Sequence, residues 1–448
     1  MLNRRIEKEI YEWIEAGRSA LMIDGARQVG KTYTIRHCLQ TAGSDYVELN
    51  LIENPDALRA FTASRSADDL KINLSAITSH NLTEGKTIIF IDEVQESKEI
   101  VTLIKFWVDD GRFRYILSGS LLGVELKTLR SAPVGYVHEL RMFPMDFEEF
   151  MEAAGVTDTV RTHLKECFRT KKTVGESVHE KMMTLFRRYL VTGGMPQAVS
   201  EYVETGNINR VGEIQRDIIN YYKRDFTKYE SESAGLMLTS IYDLIPAELL
   251  KQNRRFNYAD IKKGLRFEKV ENSFIWLYKA GVVLHAFNTT EPKVSLKLNE
   301  KNSLVKLYYS DVGLLTYACG SALRRNILFA DNEVNLGGVY ENAVLQQLVS
   351  CGHDVYYYNS KKLGELDFVI EYNGSVLPIE VKSGKDYYVH SAIENVLQKS
   401  DFGIKEAMVF SGYDISVTEN ITYYPIYMAG FLREEAEMTV VDAISFDS

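Results

Sequence analysis

The segment Gly25-Ala26-Arg27-Gln28-Val29-Gly30-Lys31-Thr32 places two glycines, a lysine and a hydroxyl at the GxxxxGK[ST] spacing. Glycines at these positions let backbone N–H groups wrap a chain of phosphates, and a helix that follows adds its positive end. Gly25, Ala26, Arg27, Gln28, Val29, Gly30, Lys31 and Thr32 are therefore expected to bind a nucleotide. Lys31 offers a point charge to the β- and γ-phosphates, and the Thr32 hydroxyl is a ligand for Mg²⁺. Further along, Thr87-Ile88-Ile89-Phe90-Ile91-Asp92-Glu93 is an apolar run ending in two acids. Asp92 is expected to hold the Mg²⁺, directly or through water, and Glu93 to act as general base on the attacking water. A third apolar run, 114–118, ends at Ser118. Its hydroxyl either orients that water or touches the γ-phosphate, or it only ends a strand and caps a helix.

A second constellation lies between 363 and 382. Asn373-Gly374 is a strong two-residue hairpin signal. With these residues at the tip, Asp367 faces Glu380 and Glu365 faces Lys382, all on one side by the period of two. Leu366, Phe368, Ile370, Leu377, Ile379 and Val381 then form the opposite, apolar side. Directly opposed carboxylates have Cβ atoms about 4.5–5.5 Å apart, and a divalent cation with oxygen ligands removes their repulsion. Lys382 is placed to neutralise a scissile phosphate or orient a water, which is the chemistry of metal-assisted phosphodiester hydrolysis. Two other readings remain: a solvated acidic hairpin, and a fold kept for binding without cleavage. Pro378 inside the second strand points to an edge or an irregular ladder.

The elements that must position these residues follow from periodicity. Residues 1–150 alternate strand-like runs (20–24, 46–51, 87–92, 115–118 and 136–140) with helix-like segments, as an α/β domain does. A run apolar on both faces, such as 87–92, suits a central strand of a parallel sheet, whose C-terminal end is where such sheets bind ligands. The intervening 46–51 run implies that the Lys31 and Asp92 strands are separated in the sheet. In 151–300 the period changes to that of helices, as at 181–190 and 211–222. Strands return in 301–448, where 338–430 read as a second α/β unit.

Within the middle region, 258–265 and 270–280 read as helices, and 282–288 with 294–298 as a wing. Residues 251–269 hold seven Lys or Arg against two acids. Either this is a winged helix that touches DNA or RNA, with Arg266 or Lys269 at a phosphate, or it is a packing module with a solvated basic face.

Composition bounds these readings. The chain has 448 residues, 45% of them hydrophobic and 25% charged, which suits about three folded domains and excludes a disordered or low-complexity chain. A net charge of −10 excludes coating nucleic acid by bulk positive charge. Cys38, Cys167, Cys319 and Cys351 are dispersed, without a CxxC pair, so neither a disulfide framework nor a zinc site is expected. The first residues form a charged amphipathic segment rather than a leader, and no run of about 18 apolar residues occurs. A cytoplasmic location without membrane contact is the expectation.

Taken together, Gly-Ala-Arg-Gln-Val-Gly-Lys-Thr, Phe-Ile-Asp-Glu-Val-Gln, Ile-Leu-Ser-Gly-Ser and Phe-Pro-Met-Asp-Phe-Glu-Glu-Phe (143–150) resemble a prokaryotic family of AAA-type P-loop ATPases. Later matching stretches are Thr-Gly-Gly-Met-Pro (192–196), Lys-Leu-Tyr-Tyr-Ser-Asp-Val-Gly-Leu-Leu (306–315) and Gly-Gly-Val-Tyr-Glu-Asn (337–342). The resemblance runs over nearly the whole chain. It implies ATP and Mg²⁺ as cofactors and the Glu-base branch of P-loop NTPases. It also implies a C-terminal domain of unknown function related to restriction-endonuclease folds. The Asp367, Glu380 and Lys382 set is similar to the PD-(D/E)xK nuclease motif, and Glu341 matches the extra acid placed near it. A helix at 392–399 and a strand at 406–410 complete an αβββαβ order. The family often shows Gly-Arg before the Phe-Pro segment; here Gly135-Tyr136 stands there, which leaves Arg130 and Arg141 as alternatives for an arginine finger. Residues 221–225, Tyr-Tyr-Lys-Arg-Asp, match the family again and by themselves read as a helix face with a solvated basic end. The sequence supports an ATPase coupled to nucleic-acid cleavage or remodelling, or else a switch read by a protein partner or a second copy.

Overall fold

The computed structural model describes residues 2–64, 66–120, 135–228, 230–251, 254–330 and 335–433. Two sheets and a helical layer organise them. The first sheet contains β1 (Ala20–Asp24), β2 (Tyr46–Asn50), β3 (Ile88–Asp92), β4 (Arg114–Gly119) and β5 (Val137–Arg141), all parallel, in the order β2-β3-β4-β1-β5. These bounds match the apolar runs to within one residue. The strand that separates β1 from β3 is β4, not β2, which takes the edge.

Alternation along the strands divides the burial. Leu21, Ile23, Ile88, Phe90 and Ile116 face the main core, shared with the rest of the chain. Ala20, Met22, Ile89, Ile91, Tyr115 and Leu117 face a separate core, closed by helices Pro55–Ala63, Ala67–Thr78 and Lys98–Asp110. Both faces of the inner strands β1, β3 and β4 are dry, as in an all-parallel sheet covered on both sides.

Six helices follow, from Phe147–Ala153 to Glu232–Leu249, and then Phe267–Lys279. The expected helix at 258–265 is only the 3₁₀ turn Tyr258–Asp260, with Gly264 at a φ of 81° soon after. Asn257 opens that turn, its side-chain oxygen accepting the Ala259 N–H at 3.2 Å. The expected strand at 294–298 is also a 3₁₀ turn, Leu296–Asn299.

The first strand expected of a wing, 282–288, belongs to the second sheet. This contains β6 (Val283–Thr289), β7 (Glu300–Tyr309), β8 (Tyr356–Ser360), β9 (Gly364–Tyr372), β10 (Ser375–Val381), β11 (Ala407–Ser411), β12 (Ser416–Thr418) and β13 (Ile421–Pro425). It is a mixed sheet in the order β12-β13-β11-β10-β9-β8-β6-β7. β6 pairs antiparallel with β7 and parallel with β8, so the boundary expected at 300 falls inside a hairpin. From helix Gly337–Ser350 through β8, β9, β10 and helix Ser391–Leu397 to β11, the order is αβββαβ.

The stretches 143–150, 181–190, 192–196, 211–222 and 306–315 meet at one buried point. Asp311 Oδ2 accepts the Gly194 N–H at 2.6 Å, and Oδ1 accepts that of Leu314 at 2.9 Å, capping helix Val312–Ala318. Gly194 O accepts the Met145 N–H at 2.7 Å. A Cβ at Gly194 would overlap the Met145 carbonyl, so only glycine fits. Tyr189 donates to Met145 O at 2.9 Å and accepts from Gln346 and Gln347 at 3.0 and 3.1 Å. Gln215 donates to the carbonyls of Val191 and Thr192 at 2.9 and 3.0 Å, which fixes helix Ile208–Lys228 to the same point.

Burial pushes the Asp311 carboxyl up to about 6, against the pull of its backbone donors. A carboxyl raised by folding takes up a proton in the native state first, so its contribution to stability falls as pH rises between about 4 and about 6. Asp311→Asn is therefore expected to cost less stability at pH 7.5 than at pH 4.5, by about 2 kcal/mol. Urea unfolding of both proteins at the two pH values measures the difference; an equal loss at both would show that Asp311 does not titrate there.

Candidate functional site

The loop between β1 and helix Lys31–Thr41 is held from beneath. Gly25 has a φ of 151°, and a Cβ there would overlap the Met142 carbonyl oxygen beside it. Arg4, only 7% exposed, donates to Val29 O and Phe143 O at 2.7 Å each and pairs with Glu149 at 3.1 Å. Nothing in the spacing of the N-terminal segment marked Arg4. The only available signal was its basic pair ahead of an amphipathic helix.

Lys31 is buried, and its ammonium donates to Gly25 O and Ala26 O at 2.9 Å each. Burial lowers its pKa, while Asp24, Glu93 and Asp92 pull it back up. A buried ammonium resting on its own loop carbonyls is a donor suited to an incoming phosphate. Thr32 Oγ1 donates to Asp92 Oδ2 at 2.9 Å, which brings together two oxygen ligands of the kind Mg²⁺ takes. Ser118 is fully buried and donates to Asp92 Oδ1. Its hydroxyl thus orients the acid, a role neither sequence reading proposed.

Glu93 follows at the mouth of the sheet with a φ of 56°, a left-handed conformation that costs energy for a residue with a side chain. That turn ends β3 and sends the carboxylate away from the strand. Gln95 donates to Glu93 Oε2 at 2.5 Å. Gln95 was visible within the Asp-Glu-Val-Gln run but had no role assigned.

From the opposite side, helix Ile208–Lys228 reaches this loop. Asp225 pairs with Arg27 at 2.7 Å, and Tyr222 donates to Arg27 O at 3.1 Å. Tyr222 and Asp225 are both buried, so 221–225 is not simply a solvated helix end. Arg141, one of the two arginine-finger alternatives, donates to Tyr278 O at 2.6 Å and lies over the Tyr278 ring. It is committed to structure. Arg130, the other alternative, falls outside the described residues.

A family model described as an AAA domain matches residues 17–151. That part of the chain is similar to an AAA domain, and its parallel sheet is like that of a P-loop NTPase. Two further models, each described as a domain of unknown function (DUF8612 and DUF4143), match residues 183–324 and 336–428. No curated protein matches the chain. Among solved structures, the chain is similar to the Walker-type ATPase PABY2304 of Pyrococcus abyssi at 17% identity, covering 71% of this chain and 96% of that one with a TM-score of 0.43. It is also similar to the Orc1 protein of Aeropyrum pernix in complex with DNA, at 15% identity, covering 74% and 93% with a TM-score of 0.28. Among the described residues no helix is long and apolar enough to cross a membrane.

The acids of the second constellation do converge, but in altered company. The hairpin register is the expected one from Tyr372↔Ser375 to Phe368↔Ile379. Beyond it β9 is irregular: against β8, Tyr356 pairs with Val369 but Tyr358 with Leu366, so one extra residue is inserted near Asp367. Leu366 accordingly packs with Val369 on one side of the sheet, while Phe368 and Ile370 pack on the other. The same insertion undoes the Glu365–Lys382 pairing. Glu365 instead meets Lys306 at 2.6 Å, and Lys382 meets Glu380 at 2.7 Å. Asp367 Oδ2 accepts the Val381 N–H at 2.9 Å.

Burial and the neighbouring Asp367 push the Glu380 carboxyl well above the ordinary range, with Lys382 opposing. Glu341 is fully buried, accepts from Tyr308 at 3.1 Å and is paired with the Arg254 guanidinium, which also lies 3.9 Å from Asp367. Arg254 thus stands where a cation shared by Glu341 and Asp367 would stand. Among the described residues no group of three or more His, Cys, Asp or Glu is arranged to hold a metal ion. Lys306, Tyr308 and Arg254 had not been associated with this cluster; they arrive from β7 and the middle region, far from the hairpin in sequence. The basic stretch also shrinks, because Lys251 pairs with Glu248 and Asp260 at 2.6 and 2.5 Å and Arg254 points inward.

Removing Arg4 strips a buried carboxylate of its partner and the phosphate loop of its brace. Arg4→Ala is expected to destabilise the protein by about 3–5 kcal/mol. Adding Glu149→Gln should restore at least about 1 kcal/mol of it. Thermal unfolding of the three proteins tests this, and additive losses would exclude the coupling.

Proposed function

We propose that this protein is a Mg²⁺-dependent ATPase in which the P-loop domain drives contacts of the helical layer and the C-terminal sheet. The observation that carries the reading is the joint placement of Lys31, Thr32, Asp92 and Glu93 at the C-terminal ends of β1 and β3, on either side of β4. Residues 25–32 would hold the phosphates, Lys31 would neutralise the β- and γ-oxygens, and Thr32 and Asp92 would hold Mg²⁺. Bound there, the ion would neutralise charge building on the phosphates. Glu93, kept in place by Gln95, would accept the proton of the attacking water. Ser118 would position Asp92.

For the C-terminal domain we favour a binding or scaffolding role over cleavage. In support, Arg254, Lys306 and Lys382 neutralise Glu341, Glu365, Asp367 and Glu380 from within the chain. As arranged, these residues do not fit a divalent ion. Nucleolytic action remains the second reading, supported by the αβββαβ order, the adjacency of Asp367, Glu380 and Lys382, and Glu380 Oε2, which is buried without a hydrogen-bond partner among the described residues.

Lys31→Ala is expected to abolish nucleotide binding, whereas Glu93→Gln should bind ATP like the wild type and turn it over at least about 100-fold more slowly. Fluorescent-nucleotide titration and phosphate release separate the two; turnover at the wild-type rate in Glu93→Gln would remove Glu93 as the base. Incubation with single- and double-stranded DNA and RNA, with Mg²⁺ or Mn²⁺ and with or without ATP, should leave the nucleic acid intact. Cleavage by the wild type that disappears in Asp367→Ala would establish the second reading instead.

A further inference from the structure

We propose that Arg27 is the arginine this chain itself presents to the terminal phosphate of a bound nucleoside triphosphate, and that Asp225 holds it in reserve until that phosphate arrives. The inference rests on the ATPase reading above.

Arg27 lies within the loop that would wrap the phosphates, four residues before Lys31. Its side chain shares a small cavity with Ser120, Tyr222 and Asp225. Ser120 directly follows β4, the strand between those that lead to Lys31 and Glu93, so the guanidinium sits beside the end of the sheet where the terminal phosphate would lie. The electrostatics agree with that placement: Lys31 feels the Arg27 charge, and buried Asp225 feels both Arg27 and Glu93.

Buried Asp225 holds the half-buried Arg27 at 2.7 Å, and the Tyr222 hydroxyl fixes the Arg27 backbone from the preceding helical turn. Three residues beyond Asp225, Lys228 meets Glu96 at 3.3 Å, just past β3. One helix end therefore touches both the phosphate loop and the segment carrying the proposed base. A γ-phosphate brings further negative charge among Asp92, Glu93 and Asp225. It repels Asp225 and competes for Arg27, whose fork suits phosphate as well as carboxylate. When Arg27 changes partner, Asp225 is left buried beside like charges, and the end of helix Ile208–Lys228 must shift. A diphosphate lacks the competing group and leaves the pair in place. An arginine supplied from within the chain also removes the need for one from a second copy.

The test compares the full-length wild type with Arg27→Ala, Asp225→Asn and the Arg27→Ala/Asp225→Ala double variant, which leaves no buried lone charge should the single change disturb folding. Fluorescent ATP and ADP analogues with Mg²⁺ give affinities, and hydrogen exchange reports on 208–228. Wild type should prefer the triphosphate, and ATP but not ADP should raise exchange at the end of that helix. Arg27→Ala and the double variant should lose about tenfold in preference for ATP over ADP and lose the ATP-specific exchange change. Turnover should fall about 10³-fold in both, and wild-type turnover per chain should not depend on protein concentration. Asp225→Asn should raise ATP preference. Unchanged ATP preference and unchanged exchange in both Arg27 variants would overturn the inference while leaving the ATPase reading intact. Wild-type turnover per chain that rises with concentration would also overturn it. Wild type that binds neither nucleotide would overturn both.

Discussion

The buried carboxylate of Asp311 is the constraint on which the arrangement of the chain depends. An acid with no exposure is tolerated because backbone N–H groups of Gly194 and Leu314 point at it. Gly194 can make that approach only without a side chain, since the Met145 carbonyl occupies the space where a Cβ would stand. The start of the helical layer, its central turn and the entry to the C-terminal domain are thus pinned at one point. Tyr189, Gln346 and Gln347 extend the hydrogen bonding into helix Gly337–Ser350. A fully satisfied polar network in a large apolar core fixes one packing among the many that apolar contacts alone would allow.

From that point the structure reaches the phosphate loop. Gln215 ties helix Ile208–Lys228 to Val191 and Thr192, and the same helix delivers Tyr222 and Asp225 to Arg27 about two turns on. The loop is therefore gripped on both sides: by Arg4 from the N-terminal segment and by the helical layer. The helix that grips the loop is itself anchored at the Asp311 point through Gln215.

At the other end of the molecule, charge is balanced differently. Four acids and three basic groups lie together around β9 and β10, and Arg254 comes from outside the sheet. Leaving one of these charges without its partner would be costly, which makes the cluster a clasp between the middle region and the C-terminal sheet. A cation shared by Glu341 and Asp367 would have to displace Arg254.

The sequence by itself determined whatever depends on local spacing. The loop 25–32 and the acids 92 and 93 stood out as candidates because phosphate binding would demand fixed residue types next to a strand, and the inner strands β1, β3 and β4 were legible because both their faces are buried. The hairpin register around Asn373-Gly374 was legible for a similar reason, since a two-residue turn leaves little choice of pairing. Tertiary structure decided the rest. One inserted residue near Asp367 rotates every side chain beyond it, which no alternation pattern announces. The first strand expected of a wing became part of an eight-stranded sheet because β6 found a partner in β8, about 70 residues away in the chain. Ser118 on Asp92, Asp225 on Arg27 and Arg254 between Glu341 and Asp367 are ion pairs and hydrogen bonds between remote segments. Their partners are chosen by which surfaces the cores bring together, and no spacing within the chain encodes that choice.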